Sequence, residues 1–399
     1  MSVGVGVTGM GMVSAIGLSV AENLSSLATS RCGITRVDNF ETRHRDNVLV
    51  GEIKLSNTAL EERIGLIKGH GVTRTGMLGI LAAREAVQQA GLLFTDPSVR
   101  TGLISSTSVG GMDVTEKYFY SYTQDPELQH YILSHDAGVS TQQIADDLGL
   151  KGTVTTISTA CSSAANAIML GARLIKSGRL DRVIVGGTDA LSKFTLNGFN
   201  TLMILSDTYC KPFDQNRKGL NLGEAAAYLV LESDALIAKE QKPVLAYVAG
   251  YGNANDAFHQ TASSENGEGA FLAMQKAFAV SELVASQIDY INAHGTATPN
   301  NDLSEGRALL RAFGNGVPTF SSTKAFTGHT LAAAAAIEAV YSILAIQEGM
   351  VFPNLNFETP MEEFELIPQA DLLRRDVNYV LSNSFGFGGN CSTLIFGRY

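Results

Sequence analysis

Three observations make this chain an α/β protein. Strand-like apolar segments alternate with helical ones along its whole length; glycine is frequent, at 40 of 399 residues; and charged residues make up only 17%. The alternation implies sheets covered by helices. The composition implies extensive burial and tight backbone turns. With 45% hydrophobic residues the chain can build one large core or two packed halves.

Element by element, residues 3–7 predict a strand and Val20–Ala28 a helix. Residues 71–91 carry helical apolar spacing that ends in "AGL", and Thr101–Ser106 reads as a buried strand. "STQQIADDLGL" predicts a capped helix. Residues 154–159 are β-branched and favour a strand. After them Ala164, Ala165, Ile168, Met169, Ala172 and Ile175 recur at helical spacing, and Gly178 is placed to end that helix. "RVIVGGTDA" and "AAYLVLES" are further strands. The pattern then restarts with "LAYVAGYG" as strand, "GAFLAMQKAFAVS" as helix, "IDYINAHG" as strand and "SEGRALLRAFG" as helix. "YVLSNSFGFGG" and "STLIFG" close the chain as two strands. A division near Lys242 and Pro243 separates residues 1–242 from 243–399, and no low-complexity linker lies between them.

The net charge of −10, with no run dense in Lys or Arg, argues against nucleic-acid binding. Cys32, Cys161, Cys210 and Cys391 form no CxxC pair and no metal-ligand spacing, so free thiols in a reducing cytoplasm are expected. The start "MSVGVGVTGMG" has no positive segment ahead of a long apolar core, so no secretory leader is expected. The longest apolar run, residues 331–346, is interrupted by Glu338 and reads as too short to span a bilayer.

Five segments could carry chemistry. In "STACSSAANAI", Cys161 sits where a strand becomes a helix, and unpaired amides there favour thiolate and can hold an oxyanion. Cys161 is therefore a reactive thiol or a small buried hydrophobe. In "INAHGTATPNND", His294 ends an apolar strand, while Asp302 and Glu305 have capping-box spacing for the next helix. In "SSTKAFTGHTLAAAAAIEA", Lys324 and His329 precede an Ala-rich helix, where cations oppose the helix dipole; Glu338 inside that helix needs a cationic partner. In "NSFGFGGNC", the glycines around Phe385 and Phe387 allow close backbone approach, a mobile loop or a β-bulge. "VTGMGMVSAIG" echoes a dinucleotide fingerprint but lacks its third glycine and a following acidic residue, which disfavours nicotinamide binding.

Taken together, "STACSSAANAI", "KPFDQNRKGLNLGEAAA", "GYGNANDAFHQTA", "NAHGTATPNND", "STKAFTGHTLAAAAAIEA" and "NSFGFGGN" resemble, in order and over nearly the whole chain, the elongating β-ketoacyl-acyl carrier protein synthases of the thiolase superfamily. The resemblance implies a thiolase-like five-layered αβαβα fold of two similar halves, the first carrying the cysteine and the second both histidines. It implies decarboxylative Claisen condensation of an enzyme-bound acyl chain with malonyl-acyl carrier protein, in fatty acid or polyketide and polyene elongation. Cys161 would be the nucleophile. His294 and His329 would bind the malonyl thioester carbonyl, with Lys324 and Glu338 supporting them. The amides of Cys161 and Phe387 would form an oxyanion hole, and Phe385 and Phe387 would gate access. Thr296 and Thr298 would contact the phosphopantetheine arm, and Val109 would line the acyl tunnel.

The resemblance further implies no metal or redox cofactor, with substrates carried on the phosphopantetheine of acyl carrier protein. A homodimer is expected, or a heterodimer with a chain-length factor. A silent partner subunit is disfavoured by Cys161, and a thiolase-like degradative enzyme by His329. Arg63, Lys68 and Arg74, on or beside one predicted helix, are the residues expected to dock the acidic carrier protein. The chain departs from the family where glycines become Ala332, Ala335, Ala225 and Ala227 and where Cys391 replaces an asparagine. Those changes suggest a specialised product.

Overall fold

The computed structural model describes residues 4–67, 70–94 and 96–398. The first half runs β1 (Val5–Ser14), α1 (Arg74–Gln89), β2 (Thr101–Ser106), α2 (Ala137–Asp147), β3 (Thr153–Ile157), α3 (Ser163–Lys176), β4 (Arg182–Asp189) and β5 (Ala225–Ser233). The second half repeats it with β6 (Ala246–Asn255), α4 (Glu268–Ser281), β7 (Tyr290–Asn292), α5 (Pro299–Phe313), β8 (Thr319–Ser321), α6 (Ala334–Glu348), β9 (Tyr379–Gly386) and β10 (Asn390–Gly397). The division at Lys242 and Pro243 falls in the connection leading into β6.

The ten strands are ordered β3-β2-β4-β5-β1-β6-β10-β9-β7-β8, so the two halves have the same strand order running outward from a common seam. In each half the three outer strands are parallel and the two inner ones antiparallel. The seam is narrow, since only Gly6 and Val7 of β1 pair with Tyr247 and Ala246 of β6. The half-sheets therefore lie over each other, with α3 and α6 between them and touching both. α1 and α2 cover one outer face, and α4 and α5 the other. This is the five-layered αβαβα arrangement.

Burial follows from the layers. Every residue from Ala334 to Ile346 in α6 is buried, which is why its helix is apolar all round rather than striped. The stretch Leu331–Glu348 is long and apolar enough to cross a membrane, contrary to the sequence estimate of its length, but it is mostly buried inside this protein. It is a core helix.

Two sequence readings change. β1 runs through "VTGMGMVS" instead of ending in a turn. Gly9 and Gly11 lie against α1, where an added Cβ would fall 2.3 Å from Ala86 O and 2.2 Å from Ala82 O. The glycines permit close strand–helix packing, and the phosphate-loop echo is coincidental. α2 begins at Ala137, capped by Asp136 accepting from the Gly138 amide, earlier than the "STQQ" start.

Candidate active site

Parallel strands end at one rim of each half-sheet, and the loops there meet over the central layer. A cavity of about 330 Å³ opens at that place, lined by Cys161, His294, His329, Phe385, Phe387 and Cys391 among others.

Cys161 follows β3 in a tight turn. Ala160 adopts φ +52°, unusual for a residue with a side chain, and the turn is tied by the Ser163 amide donating to Ala160 O and the Thr159 amide donating to Ser163 Oγ. Helix α3 starts two residues later. The side chain is 5% exposed. Burial pushes its thiol up to about 12, opposed by the charge of Lys324 and by the backbone amide of Phe387. At neutral pH the resting group is therefore a thiol; desolvation outweighs the helix N-terminus that the sequence suggested would favour thiolate.

His294 stands two residues beyond β7. Its backbone amide and that of Gly295 donate to the two oxygens of Glu305, at 2.9 and 2.8 Å. Asp302 likewise accepts from the amides of Ala297 and Phe213. This corrects the capping-box reading. Helix α5 starts after Thr298, which makes no side-chain cap bond, with Pro299 as its first residue, and both acids lie inside it, buried, holding the loop that carries His294. The available signal was their position: Asp302, Glu305 and Leu309 fall on one helical face, so the acids lie in an apolar stripe.

His329 lies before α6, its backbone amide donating to Asn221 O at 2.7 Å. The two imidazoles are perpendicular with centroids 5.5 Å apart. Burial holds both well below the usual histidine range, and Lys324 adds to this, so both are neutral at pH 7. His329 Nδ1 accepts the Leu331 amide, which puts its proton on Nε2. His294 Nδ1 is buried with no hydrogen-bond partner among the described residues.

Lys324 and Glu338 are both buried and form a direct ion pair, with Ser384 Oγ 3.5 Å from the second carboxylate oxygen. The pair satisfies the buried acid of α6, as the sequence required. Thr296 and Thr298 line the cavity, their hydroxyls 2.8 Å apart. Phe385 packs 5.4 Å from His294, and Phe387 stacks on Phe199 at 5.7 Å. The sequence reading had missed Phe199. It also missed Asp189, buried at the end of β4, which accepts from Thr107, the Ser108 amide and the Ala332 amide and so ties the loop after His329 to the first half.

The remaining assignments separate. Val109 is half-buried beside Asp189 and is not among the residues lining this cavity. Arg63 is exposed in the last turn of the helix Asn57–Ile64. Lys68 lies outside the described residues. Arg74 is not a docking residue: it is 5% exposed, and its guanidinium is held by both oxygens of Glu224 and by the carbonyls of Ile53 and Leu55. Arg63 and Arg74 belong to two different helices.

A thiol, two neutral imidazoles and an amide directed at the thiol thus share one cavity. Models for the β-ketoacyl synthase N-terminal domain and C-terminal domain match residues 3–236 and 245–358. The chain is 33% identical to 3-oxoacyl-[acyl-carrier-protein] synthase 2 of Staphylococcus aureus (strain N315), over 98% of each. It superposes on a chain of the ishigamide ketosynthase/chain length factor with a TM-score of 0.92, at 29% identity and full coverage of both. It also matches a chain of the AntDE:AntF complex, a type II polyketide synthase acyl-carrier protein with its ketosynthase, with a TM-score of 0.90, at 25% identity and full coverage of both. With the cysteine and both histidines in one cavity and both domain models matched in order, the chain belongs to the β-ketoacyl synthase family.

Proposed function

We propose that this protein condenses an acyl chain carried on Cys161 with malonyl-acyl carrier protein, releasing carbon dioxide and β-ketoacyl-acyl carrier protein. The observation that carries this is the convergence of Cys161, His294 and His329 on one cavity. Sγ attacks the acyl thioester carbonyl, the bond to the pantetheine sulfur breaks, and the thiol proton passes through a neutral imidazole to the leaving thiolate. The oxygen that becomes negative faces the amides of Cys161 and Phe387. In the second step the malonyl carboxylate leaves as carbon dioxide. Its electron pair forms an enolate, which imidazole N–H groups of His294 and His329 stabilise. The enolate carbon attacks the acyl carbonyl and the Cys161 thiolate departs, taking a proton from solvent, since its own left with the pantetheine thiol in the first step. Neutral imidazoles suit this step, since donors are needed and a general acid is not.

Lys324 and Glu338 fix the charge beside the histidines, Thr296 and Thr298 contact the phosphopantetheine arm, and Phe385 and Phe387 control access. Val109 is proposed to limit acyl length, and Arg63 with Lys68 to meet the carrier protein. No metal or redox cofactor is needed, and a cytoplasmic enzyme is proposed. The protein would pair with itself or with a chain-length factor. Similarity to a ketosynthase/chain length factor structure favours the second arrangement as an alternative, and Cys161 makes this chain the acylated member of such a pair.

Intact mass after incubation with acyl-carrier protein should rise by one acyl group, mapped to Cys161. Adding malonyl-carrier protein should then discharge it with release of carbon dioxide. An unmodified mass after prolonged incubation would sink the proposal.

A further inference from the structure

We propose that Asn390 is a positioning residue that holds the two amide donors around Cys161 at a fixed separation; this rests on Cys161 being the acylated nucleophile. The donors come from opposite halves of the molecule. One is the amide of Cys161, in the turn before α3, and the other is the amide of Phe387, in the turn between β9 and β10. Asn390 opens β10 at the base of that second turn, paired with Gly386 on one side and Asn255 on the other.

Its side-chain oxygen collects donors from both halves. Ser162 Oγ lies 2.7 Å away, Asn166 Nδ2 2.9 Å and Asn253 Nδ2 2.9 Å. Ser162 directly follows Cys161, and its hydroxyl also reaches Thr159 O at 2.7 Å. Asn166 also donates to Thr159 Oγ1 at 2.9 Å. Ser392 closes the ring, accepting from Asn253 at 2.9 Å and donating to Asn166 Oδ1 at 3.2 Å. Three polar side chains thus reach this amide oxygen, and Thr159 and Ser392 complete the network beneath the turn that carries Cys161.

Apolar side chains would fill this space more simply. A satisfied polar network instead fixes one geometry. The two turns also touch directly: a Cβ on Gly386 would lie 2.8 Å from Thr159 O and 3.1 Å from the Cys161 amide nitrogen. Small displacement of either half therefore changes the spacing of the donors. An oxyanion needs both near 3 Å.

Asn166 and Asn253 donate to Oδ1, and the single proton of the Ser162 hydroxyl is shared between Oδ1 and Thr159 O, so the acceptor is the feature that joins the halves. Asn390→Leu removes it at similar volume, and Asn390→Asp keeps it. Acyl transfer to Cys161 from octanoyl-N-acetylcysteamine at saturation develops an oxyanion, whereas alkylation of the same thiol by iodoacetamide does not. Asn390→Leu should slow the first by about 10- to 100-fold while the second stays within about threefold, and half-saturation should be unchanged. Asn390→Asp should keep the ratio of the two rates near that of the wild type. If Asn390→Leu does not fold, Asn253→Ala, which withdraws one donor from the same oxygen, should lower the ratio in the same direction. The inference is overturned if both rates fall together, if Asn390→Asp loses as much of the ratio as Asn390→Leu, or if only half-saturation changes. A wild-type protein that is alkylated but never acylated overturns the catalytic reading, and this inference with it.

Discussion

The two halves share one topology and differ in what they place at equivalent positions. In the first half, the turn from β3 into α3 carries Cys161; in the second, the turn from β8 into α6 carries Lys324 and His329. The turn from β7 into α5 is short and holds His294, whereas its counterpart from β2 into α2 spans residues 107–136 and contributes no lining residue to the cavity. The central helices differ in the same sense. α3 exposes part of one face and carries no acid, while α6 is buried on every side and carries Glu338. On the proposed mechanism, one half would supply the nucleophile and the other the hydrogen-bond-donating imidazoles with their charge support. The proposed chemistry is thus divided between the two halves at strand ends, where side chains can differ without disturbing the sheets.

The sharpest way to break this division is to remove one member from each half. Cys161→Ala should abolish the acyl adduct seen by intact mass. His329→Ala should still form it, yet release no carbon dioxide from malonyl-carrier protein. An adduct persisting in Cys161→Ala and mapped to another residue would refute the assignment.

Both halves bury ion pairs, Arg74 with Glu224 and Arg182 with Glu232 in the first, and Lys324 with Glu338 in the second. Removing one partner, as in Arg74→Met or Lys324→Met, should cost about 3–5 kcal/mol in denaturant unfolding, because the other charge stays buried. Only Lys324→Met should also suppress decarboxylation in the folded fraction. Equal specific activity in the two variants would remove the distinction between a structural and a functional pair.

Glu305→Gln is a smaller perturbation. Its new amide group would face an amide donor of His294 or Gly295, at a cost of about 1–3 kcal/mol. Decarboxylation should fall more than acylation, since only the histidine loop is displaced.

The pH dependence of the nucleophile tests burial against the helix N-terminus. With the thiol pushed up to about 12, the thiolate fraction should rise about tenfold per pH unit, so iodoacetamide alkylation should climb steadily from pH 6 to 9. A plateau below pH 8 would mean that the amides and Lys324 outweigh desolvation. Val109→Phe should have the narrowest effect, sparing short acyl chains and slowing long ones. A uniform loss tracking a lower melting temperature would mark Val109 as plain packing.

Sequence alone determined the α/β class, the approximate place of most elements and the candidate reactive groups. Periodicity is local, and a cysteine between a strand and a helix pattern, or a histidine at a strand end, can be read without a fold. The chemical assignment of those groups came from the resemblance carried by six ordered motifs. Tertiary structure decided the rest. Asp302 and Glu305 look like caps in sequence because cap spacing is local, yet they bond to amides of a preceding loop and of Phe213, which only packing brings near. Arg74 looks like a surface cation until its partner, 150 residues away, is in place. Gly9 and Gly11, an incomplete dinucleotide echo in sequence, gain a reason only when α1 lies on them. The protonation of Cys161, His294 and His329 is likewise set by burial between the halves, because the cost of desolvating a charge depends on the whole enclosing shell and not on the neighbours along the chain.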